Sequence, residues 1–449
     1  MTGNVQPRRQ GVLTGRRLGP RPLPVHLAAA AMTWMSSRAA WHVWKRGSIA
    51  WKGDLTQTAA ALKESLDAAD PKALDAAFER EIRTRLNAFV TGVLAYRRHP
   101  YVRMLADPPS VFESGAMRLL DYGATDEAAH EGMPVLIVPS LINRAYVLDL
   151  SEKKSLLRFF ATRGLRPLLV DWGRPGPAER NYTLTDYIAG VLESALDKTI
   201  EITGRKPAVL GYCMGGNLAL ALAARRSEDV TGLALLAMPW DFHAGRTAQS
   251  QVVVAAGGPL GPVLDRLGEL PVDILQAMFS SLDPMSAARK FCAFAALAAT
   301  PTNQTRVEEF IALEDWLNDG VPLVSGVARE CLAGWYGGNE PARGLWRIAA
   351  QFIDPAQVHC PALVVVPAHD RIVPPESADA VTARLPEGER MTPPLGHIGM
   401  VVGGRARTEL WEPLASWLEL LPSPQAKSAR RARKPRKGAG NGKTRGATF

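Results

Sequence analysis

The chain has 449 residues, of which 47% are hydrophobic, so it is long enough for one large domain with additions or for two domains. Its formal net charge is +9, but nine Lys or Arg and no acidic residue lie between position 423 and the end, which leaves the preceding part close to neutral. No apolar run approaches the ~18 residues of a membrane helix, and the four cysteines lack zinc-ligand or CxxC spacing, which argues against a membrane-spanning, zinc-binding or disulfide-stapled protein and predicts a cytoplasmic one.

The first 53 residues contain no Asp or Glu and are predicted to form a flexible basic segment. It holds four tryptophans that would fall within an arc of roughly 100° in a helix, which suggests contact with an apolar surface. Packing of these tryptophans on the protein's own domain is an equally good interpretation. They are Trp34, Trp41, Trp44 and Trp51.

Residues 54–114 are predicted to form a helical region, because one set of apolar residues recurs at three- and four-residue steps. That spacing places them on a single helical face, which must be covered by another part of the protein. The set comprises Leu74, Phe78, Ile82, Leu86, Phe89 and Val93.

Residues 115–421 alternate between short apolar runs and helical stretches, which predicts a mostly parallel sheet with helices on both faces. One helix is expected to begin near Thr183, where Asp186 can cap its first turn. The alternation is lost between about residues 240 and 361, so this stretch is predicted to be an inserted cap. The predicted strands cover Val135–Val138, Pro167–Val170, Ala208–Leu210, Leu233–Met238 and Leu363–Val366.

Residues 422–449 form the last predicted segment, a disordered basic tail, because Lys, Arg, Gly, Ala and Pro cannot bury a core. Its nine cations are expected to attract polyanions such as nucleic acid without reading their sequence. A tail that only keeps the protein in solution is the alternative.

A G-x-C-x-G turn, Gly211–Gly215, follows a predicted strand and precedes an apolar helical stretch. This is the form of a nucleophile elbow with cysteine in place of serine. In such a turn the N-terminus of the following helix points at the nucleophile, which favours the thiolate of Cys213. The backbone N–H groups of Met214 and Leu141 are expected to form the oxyanion hole. A buried structural cysteine in a glycine-rich turn is the competing interpretation.

Two later residues complete a candidate catalytic triad in the order nucleophile, acid, base. Asp370 directly follows the last predicted strand, and His397 lies between two glycines further along the chain. His369 is interpreted as a bystander, because consecutive side chains point in different directions. The three positions predict an α/β-hydrolase fold in which His397, oriented by Asp370, serves Cys213.

Other motifs extend this pattern to a particular family. The chain resembles the polyhydroxyalkanoate synthases, members of the α/β-hydrolase superfamily, and among them most closely the class III catalytic subunit. Cysteine in the elbow is the best single discriminator from lipases. The chain departs from the family at Arg371, where the family usually has His, and at Ser140. The resemblance spans about residues 115–420 and is carried by Val135–Leu150, Val170–Pro175, Gly211–Gly216, Glu314–Trp316 and Gly396–Gly399.

The resemblance implies an acyltransferase that polymerises (R)-3-hydroxyacyl-CoA into polyhydroxyalkanoate and releases CoA through an acyl-thioester on Cys213. It implies no metal or other cofactor, and it implies contact with a polyester granule. A homodimer and a second synthase subunit both remain open. The same triad with water as acceptor would make an intracellular polyester depolymerase or a thioesterase. A non-catalytic granule- or nucleoid-associated protein is the alternative from another class.

Overall fold

A computed structural model describes residues 17–46, 51, 53–245 and 248–422. The predicted basic tail lies outside these residues from position 423 onward, so its polyanion binding stays a prediction.

The N-terminal part is a set of three helices, in which Asp70 caps the third helix by accepting a hydrogen bond from the backbone of Ala73. The helices are α1 (Leu23–Lys45), α2 (Thr56–Asp67) and α3 (Pro71–Arg98).

The third helix carries the apolar face that the sequence predicts, and the helical character of this region is confirmed. In contrast to the flexible segment predicted for residues 1–53, that range contains the 23 residues of α1. This helix has no acidic residue in its first turn and only a few charged residues, so local sequence signals for it are weak. Its stability comes from packing on the rest of the protein.

An eight-stranded sheet forms the centre of the protein, in the order β1-β2-β6-β3-β7-β8-β13-β14. The pairs β1/β2 and β2/β6 are antiparallel and the remaining pairs are parallel. The other six strands form three short two-stranded ladders. In chain order the strands are β1 (Ser110–Ser114), β2 (Met117–Asp121), β3 (Met133–Val138), β4 (Asp149–Ser151), β5 (Lys154–Ser155), β6 (Leu165–Asp171), β7 (Ala208–Tyr212), β8 (Gly232–Leu236), β9 (Glu269–Leu270), β10 (Leu323–Val324), β11 (Arg347–Ile348), β12 (Gln351–Phe352), β13 (Ala362–Val365) and β14 (Gly388–Met391).

Helices cover both faces of the sheet, and a largely helical cap is inserted between β8 and β13. The fold class predicted from the sequence, an α/β-hydrolase fold with an inserted cap, is therefore confirmed. At the predicted helix start, the carboxylate of Asp186 accepts hydrogen bonds from the backbone and the hydroxyl of Thr183. The helices are α4 (Glu127–His130), α5 (Leu156–Thr162), α6 (Glu193–Thr203), α7 (Met214–Arg225), α8 (Ala248–Leu267), α9 (Val272–Ser280), α10 (Ser286–Ala298), α11 (Gln304–Asn318), α12 (Ser325–Arg329), α13 (Pro375–Asp379), α14 (Gly399–Val402) and α15 (Glu412–Glu419), with π-helical turns at Asp186–Leu192, Glu330–Gly337 and Arg407–Trp411.

The N-terminal helices pack on the cap through an aromatic cluster of their own. Phe89 and Tyr96 of α3 contact Phe291 of α10 edge to face, with ring centroids 6.3 and 5.6 Å apart. The two helices touch at Gly92, where a Cβ atom would lie 1.9 Å from the carbonyl oxygen of Phe291. Only glycine permits this close approach, so α3 and the cap are one packed unit.

The tryptophans of the N-terminal segment divide between the two interpretations offered by the sequence. Trp34 packs against the aromatic cluster and Trp41 is buried, whereas Trp51 is 43% exposed. The side chain of Trp44 is outside the described part of the structure.

Among the described residues, none of the helices has both the length and the apolar character of a bilayer-crossing segment.

Candidate active site

Cys213 occupies a tight turn between β7 and α7. Its backbone angles are φ 55° and ψ −130°, a conformation that costs a non-glycine residue on the order of 1–3 kcal/mol. The turn is possible because its glycines lie against neighbouring backbone: a Cβ at Gly215 would be 2.1 Å from the carbonyl oxygen of Val138, and one at Gly211 would be 2.5 Å from Gly216. The strand–turn–helix context expected of a nucleophile elbow is therefore present, with Cys213 at the N-terminal end of α7.

Asp370 and His397 form a hydrogen-bonded pair in loops that follow β13 and β14. His397 Nδ1 donates to Asp370 Oδ2 at 2.7 Å, and both side chains are almost fully buried. The other carboxylate oxygen accepts from the backbone N–H groups of Ile372 and Val373 at 2.8 and 2.9 Å, which fixes its orientation. His369 is exposed, in keeping with its interpretation as a bystander.

The electrostatics of His397 couple it to Cys213. Burial lowers the pKa of this imidazole, but the negative charge of Cys213 and the hydrogen bonds with Asp370 and Cys213 act in the opposite direction and together raise it to about 10. His397 therefore holds a proton at neutral pH for as long as Cys213 carries a negative charge. A thiolate–imidazolium pair of these two side chains is the ground state that a cysteine nucleophile requires, and this role of Cys213 stays a prediction.

The predicted oxyanion donors follow two neighbouring strands of the sheet, β7 and β3. Met214 is the first residue of α7, and Leu141 is in the loop that follows β3. Because β3 is the hydrogen-bonded neighbour of β7, the ends of the two strands meet at the same edge of the sheet. Both residues are buried, and their function as backbone donors stays a prediction.

Comparison with known proteins places this chain in a family. A model for the alpha/beta hydrolase fold matches residues 134–403, and a model for the N-terminus of poly-beta-hydroxybutyrate polymerase (PhaC) matches residues 105–160. The poly(3-hydroxyalkanoate) polymerase subunit PhaC of Allochromatium vinosum is 30% identical over 298 residues, covering 65% of this chain and 82% of that protein. The chain belongs to the PhaC family. The family resemblance inferred from the sequence motifs is confirmed.

Other PhaC proteins match over a similar stretch. The PhaC subunit of a Synechocystis strain is 30% identical over 298 residues, covering 64% of this chain and 77% of that protein. The PhaC subunit of Haloferax mediterranei is 29% identical over 315 residues, covering 68% of this chain. The match spans only 62% of the length of that archaeal relative.

In this PhaC-family chain, Cys213 lines a partly open cavity of about 180 Å³. The cap supplies most of the wall, and Arg371 adds a cationic side chain. No sequence motif marks these cap residues, because they come from separate short elements. The apolar part of the wall includes Leu270, Leu275, Met278, Phe279, Leu323 and Trp335.

Tyr336 is a further cavity residue that was not predicted from the sequence. Burial raises the pKa of its phenol, and the charges of Cys213 and Cys331 raise it further. Its hydroxyl therefore stays protonated throughout the physiological pH range. No spacing or composition signal marks this tyrosine, since it reaches the site from a π-helical turn of the cap.

Proposed function

We propose that the protein polymerises (R)-3-hydroxyacyl-CoA into polyhydroxyalkanoate, releasing CoA, with Cys213 as the nucleophile. The proposal rests on one observation above the others: Cys213 at a strained elbow faces a buried imidazole whose other nitrogen is held by a carboxylate. The names of the PhaC relatives support the choice of substrate. No metal or redox cofactor enters this chemistry.

In the first half-reaction, the Cys213 thiolate attacks the thioester carbonyl of a hydroxyacyl-CoA. The oxyanion that develops would be stabilised by the backbone N–H groups of Met214 and Leu141. The carbon–sulfur bond to CoA then breaks, and the departing thiolate takes its proton from the imidazolium of His397. A thioester on Cys213 replaces the thioester of the substrate, so no bond energy is lost.

In the second half-reaction, the hydroxyl of another hydroxyacyl unit attacks the thioester on Cys213. Acylation has removed the negative charge that raises the pKa of His397, whereas burial still lowers it. The imidazole is then a neutral base that can accept the proton of the incoming hydroxyl. Collapse of the intermediate releases the Cys213 thiolate and leaves a chain that is one ester longer. The charge on Cys213 thus switches His397 between acid and base.

The apolar cavity is suited to hold the acyl part of the substrate, whereas CoA is a polyanion and must remain near solvent. Arg371 lies between the apolar cavity and solvent, because it lines the cavity and its side chain is 85% exposed. Its nearest carboxylate is that of Asp283, 3.9 Å away, which also pairs with Arg289. The Arg371 guanidinium is therefore available to a phosphate group of CoA.

We predict that Arg371→Gln raises the KM for hydroxyacyl-CoA by about two- to fivefold, the range expected for an exposed ion pair, with little change in kcat. Initial rates of CoA release measure both constants. A thioester of N-acetylcysteamine, which has no phosphate, should be used equally well by the variant and the wild type. Arg83→Gln removes another largely exposed arginine, on α3, and is the control. An unchanged KM for the CoA substrate would rule out this role of Arg371.

An apolar product also requires an apolar surface on the enzyme. One side of α1 exposes Val25, Met32, Met35 and Val43, and the exposed fractions of the two methionines are 71% and 63%. The single arginine of this helix, Arg38, pairs with Asp75 and Glu79 of α3, so its charge is compensated. We infer that this side of α1 contacts the polyester granule.

The function is tested by incubating the purified chain with 3-hydroxybutyryl-CoA. Free CoA is titrated with a thiol reagent, and sedimented polymer is converted to methyl esters and quantified. The proposal expects one CoA released per monomer recovered in polymer, and the enzyme should sediment with its product. Because the chain is assayed alone, the experiment also tests whether a second subunit is required.

Each alternative gives a different result in the same assay. Free 3-hydroxybutyrate in proportion to CoA, without polymer, would identify a thioesterase. Degradation of added polymer without turnover of the CoA substrate would identify a depolymerase. If neither substrate is turned over while the protein still binds the polymer, it is a non-catalytic granule protein.

A further inference from the structure

Residues 17–22, here called the strap, cross the end of cap helix α11 and are bonded to it. The guanidinium of Arg17 makes two hydrogen bonds with the carboxylate of Asp315, at 2.7 and 3.0 Å, and both side chains are nearly buried. The backbone N–H of Arg21 donates to the side-chain oxygen of Asn318 at 2.7 Å. A Cβ at Gly19 would lie 2.5 Å from the same asparagine side chain, so the strap lies directly against the helix.

The strap is also fixed on its other side. Arg97 of α3 donates to the carbonyl oxygens of Leu18 and Gly19 at 2.6 and 2.8 Å. Tyr96 of the same helix donates its hydroxyl to the carboxylate of Asp315 at 2.8 Å. Arg17 and Tyr96 thus meet at one carboxylate, and this joins the strap, α3 and the last turn of α11.

The last turn of α11 and the residues after it hold the loop that follows β3. The indole N–H of Trp316 donates to the carbonyl oxygen of Arg144 at 2.8 Å. The backbone N–H of Val321 donates to the carbonyl oxygen of Ile142 at 2.9 Å. This loop carries Leu141, the expected oxyanion donor, and Ile142 lines the cavity together with Cys213.

The charges at the end of α11 explain why the strap is needed. Glu314, Asp315 and Asp319 lie at the C-terminal end of the helix, where the helix dipole is negative and carboxylates are unfavourable. The last turn of α11 has no basic residue of its own, so the compensating cations come from other segments. Lys290 pairs with Glu314, and Arg17 pairs with Asp315. Without Arg17, the turn that holds the loop would be destabilised.

We propose that Arg17 is a positioning residue for catalysis: through Asp315 it holds the last turn of α11, and through that turn the loop that carries Leu141. This inference rests on the proposed function in one respect only: Leu141 is taken to stabilise the oxyanion of an acyl-transfer reaction. The strap itself contacts neither substrate nor Cys213. Its loss should therefore impair the stabilisation of the oxyanion and leave the thiolate–imidazolium pair intact.

Two reactions of Cys213 distinguish a loss of oxyanion stabilisation from a loss of the thiolate. Alkylation by iodoacetamide requires the thiolate but forms no oxyanion. The burst of p-nitrophenolate released from a p-nitrophenyl ester requires both the thiolate and the oxyanion hole, and it requires neither CoA nor polymer. A wild-type burst without polymer formation would therefore contradict the proposed function and leave the strap inference testable.

We expect Arg17→Ala to slow the burst on the order of tenfold, because a displaced oxyanion donor loses part of its effect, and to leave the alkylation rate unchanged. Arg17→Lys, which keeps the charge but not the bidentate geometry, should recover part of the loss. The control is Arg38→Ala, which removes an arginine of α1 that pairs with Asp75 and Glu79 of α3 and not with α11. An unchanged burst in Arg17→Ala, or a parallel loss of alkylation, would overturn the inference.

A second variant keeps the inference testable if Arg17→Ala does not fold. Trp316→Phe keeps the buried ring but removes the donor to Arg144, and so acts one step further along the same connection. It should also slow the burst selectively, and the double variant should be no slower than the worse of the two single variants. Additive losses would show that the strap and Trp316 act independently, which would contradict the proposal.

Discussion

Replacing Cys213 with alanine is expected to abolish acyl transfer, by at least about 10³-fold, because no other group can form the acyl-enzyme. Cys213→Ser should retain only a small remnant of activity. A serine hydroxyl remains protonated beside His397, so the imidazolium–thiolate pair that starts the reaction cannot form. Neither change adds bulk at the strained elbow, so both variants should fold.

The measurement is CoA release from 3-hydroxybutyryl-CoA, combined with mass spectrometry of the peptide that contains residue 213. The wild type should carry a hydroxyacyl group there, and the alanine variant should not. Cys292→Ala is the control, since this cysteine lies on α10 outside the cavity and burial raises the pKa of its thiol. Full activity in Cys213→Ala would remove the central element of the proposed mechanism.

His397→Gln and Asp370→Asn are expected to have the next largest effects. Glutamine at 397 removes the proton acceptor and should abolish transfer. Asparagine at 370 can still accept from the backbone of Ile372 and Val373, but its NH₂ group would face Nδ1 of His397. The imidazole would then carry its proton on Nε2, toward Cys213, so the loss should be about 10²- to 10⁴-fold.

The pH dependence of these variants provides an independent measurement. The carboxylate of Asp370 is one of the groups that raise the pKa of His397, so Asp370→Asn should lower it. The imidazolium then loses its proton at a lower pH than in the wild type and stabilises the Cys213 thiolate less at neutral pH, so the pH profile of Cys213 alkylation should shift to higher pH. His369→Gln, beside the acid but exposed, should leave both rate and profile unchanged. A profile in Asp370→Asn identical to that of the wild type would mean that the carboxylate does not act on His397.

The sequence predicted those elements whose signal is local. The strands β3, β6, β7, β8 and β13 are continuous apolar runs, as expected for parallel strands buried on both faces, and all five were identified. The outer strands β1, β2 and β14 were not. Glu389 and Arg390 in β14, and the partly exposed residues of β1, resemble surface loops because edge strands are covered on fewer sides.

The candidate triad was predicted for a different reason. Cys213, Asp370 and His397 each stand in a short motif whose residue types follow from the chemistry, and the structure brings Asp370 and His397 into direct contact. The cavity wall and the strap could not be predicted in this way. Tyr336 and Arg17 reach their partners only through tertiary packing, which leaves no periodicity in the chain.

The insertion of the cap between β8 and β13 has a consequence for how the enzyme is made. Synthesis from the N-terminus completes β7, Cys213 and α7 well before Asp370 and His397 leave the ribosome. Pairing of β13 with β8 must then close a loop that contains the whole cap, a non-local step that folds slowly but adds only ~0.6 kcal/mol for each doubling of loop length. A nascent chain therefore displays a cysteine without its base. In the proposed mechanism, acyl transfer would begin only after the last two strands have joined the sheet, so an unfinished chain would not start a polymer.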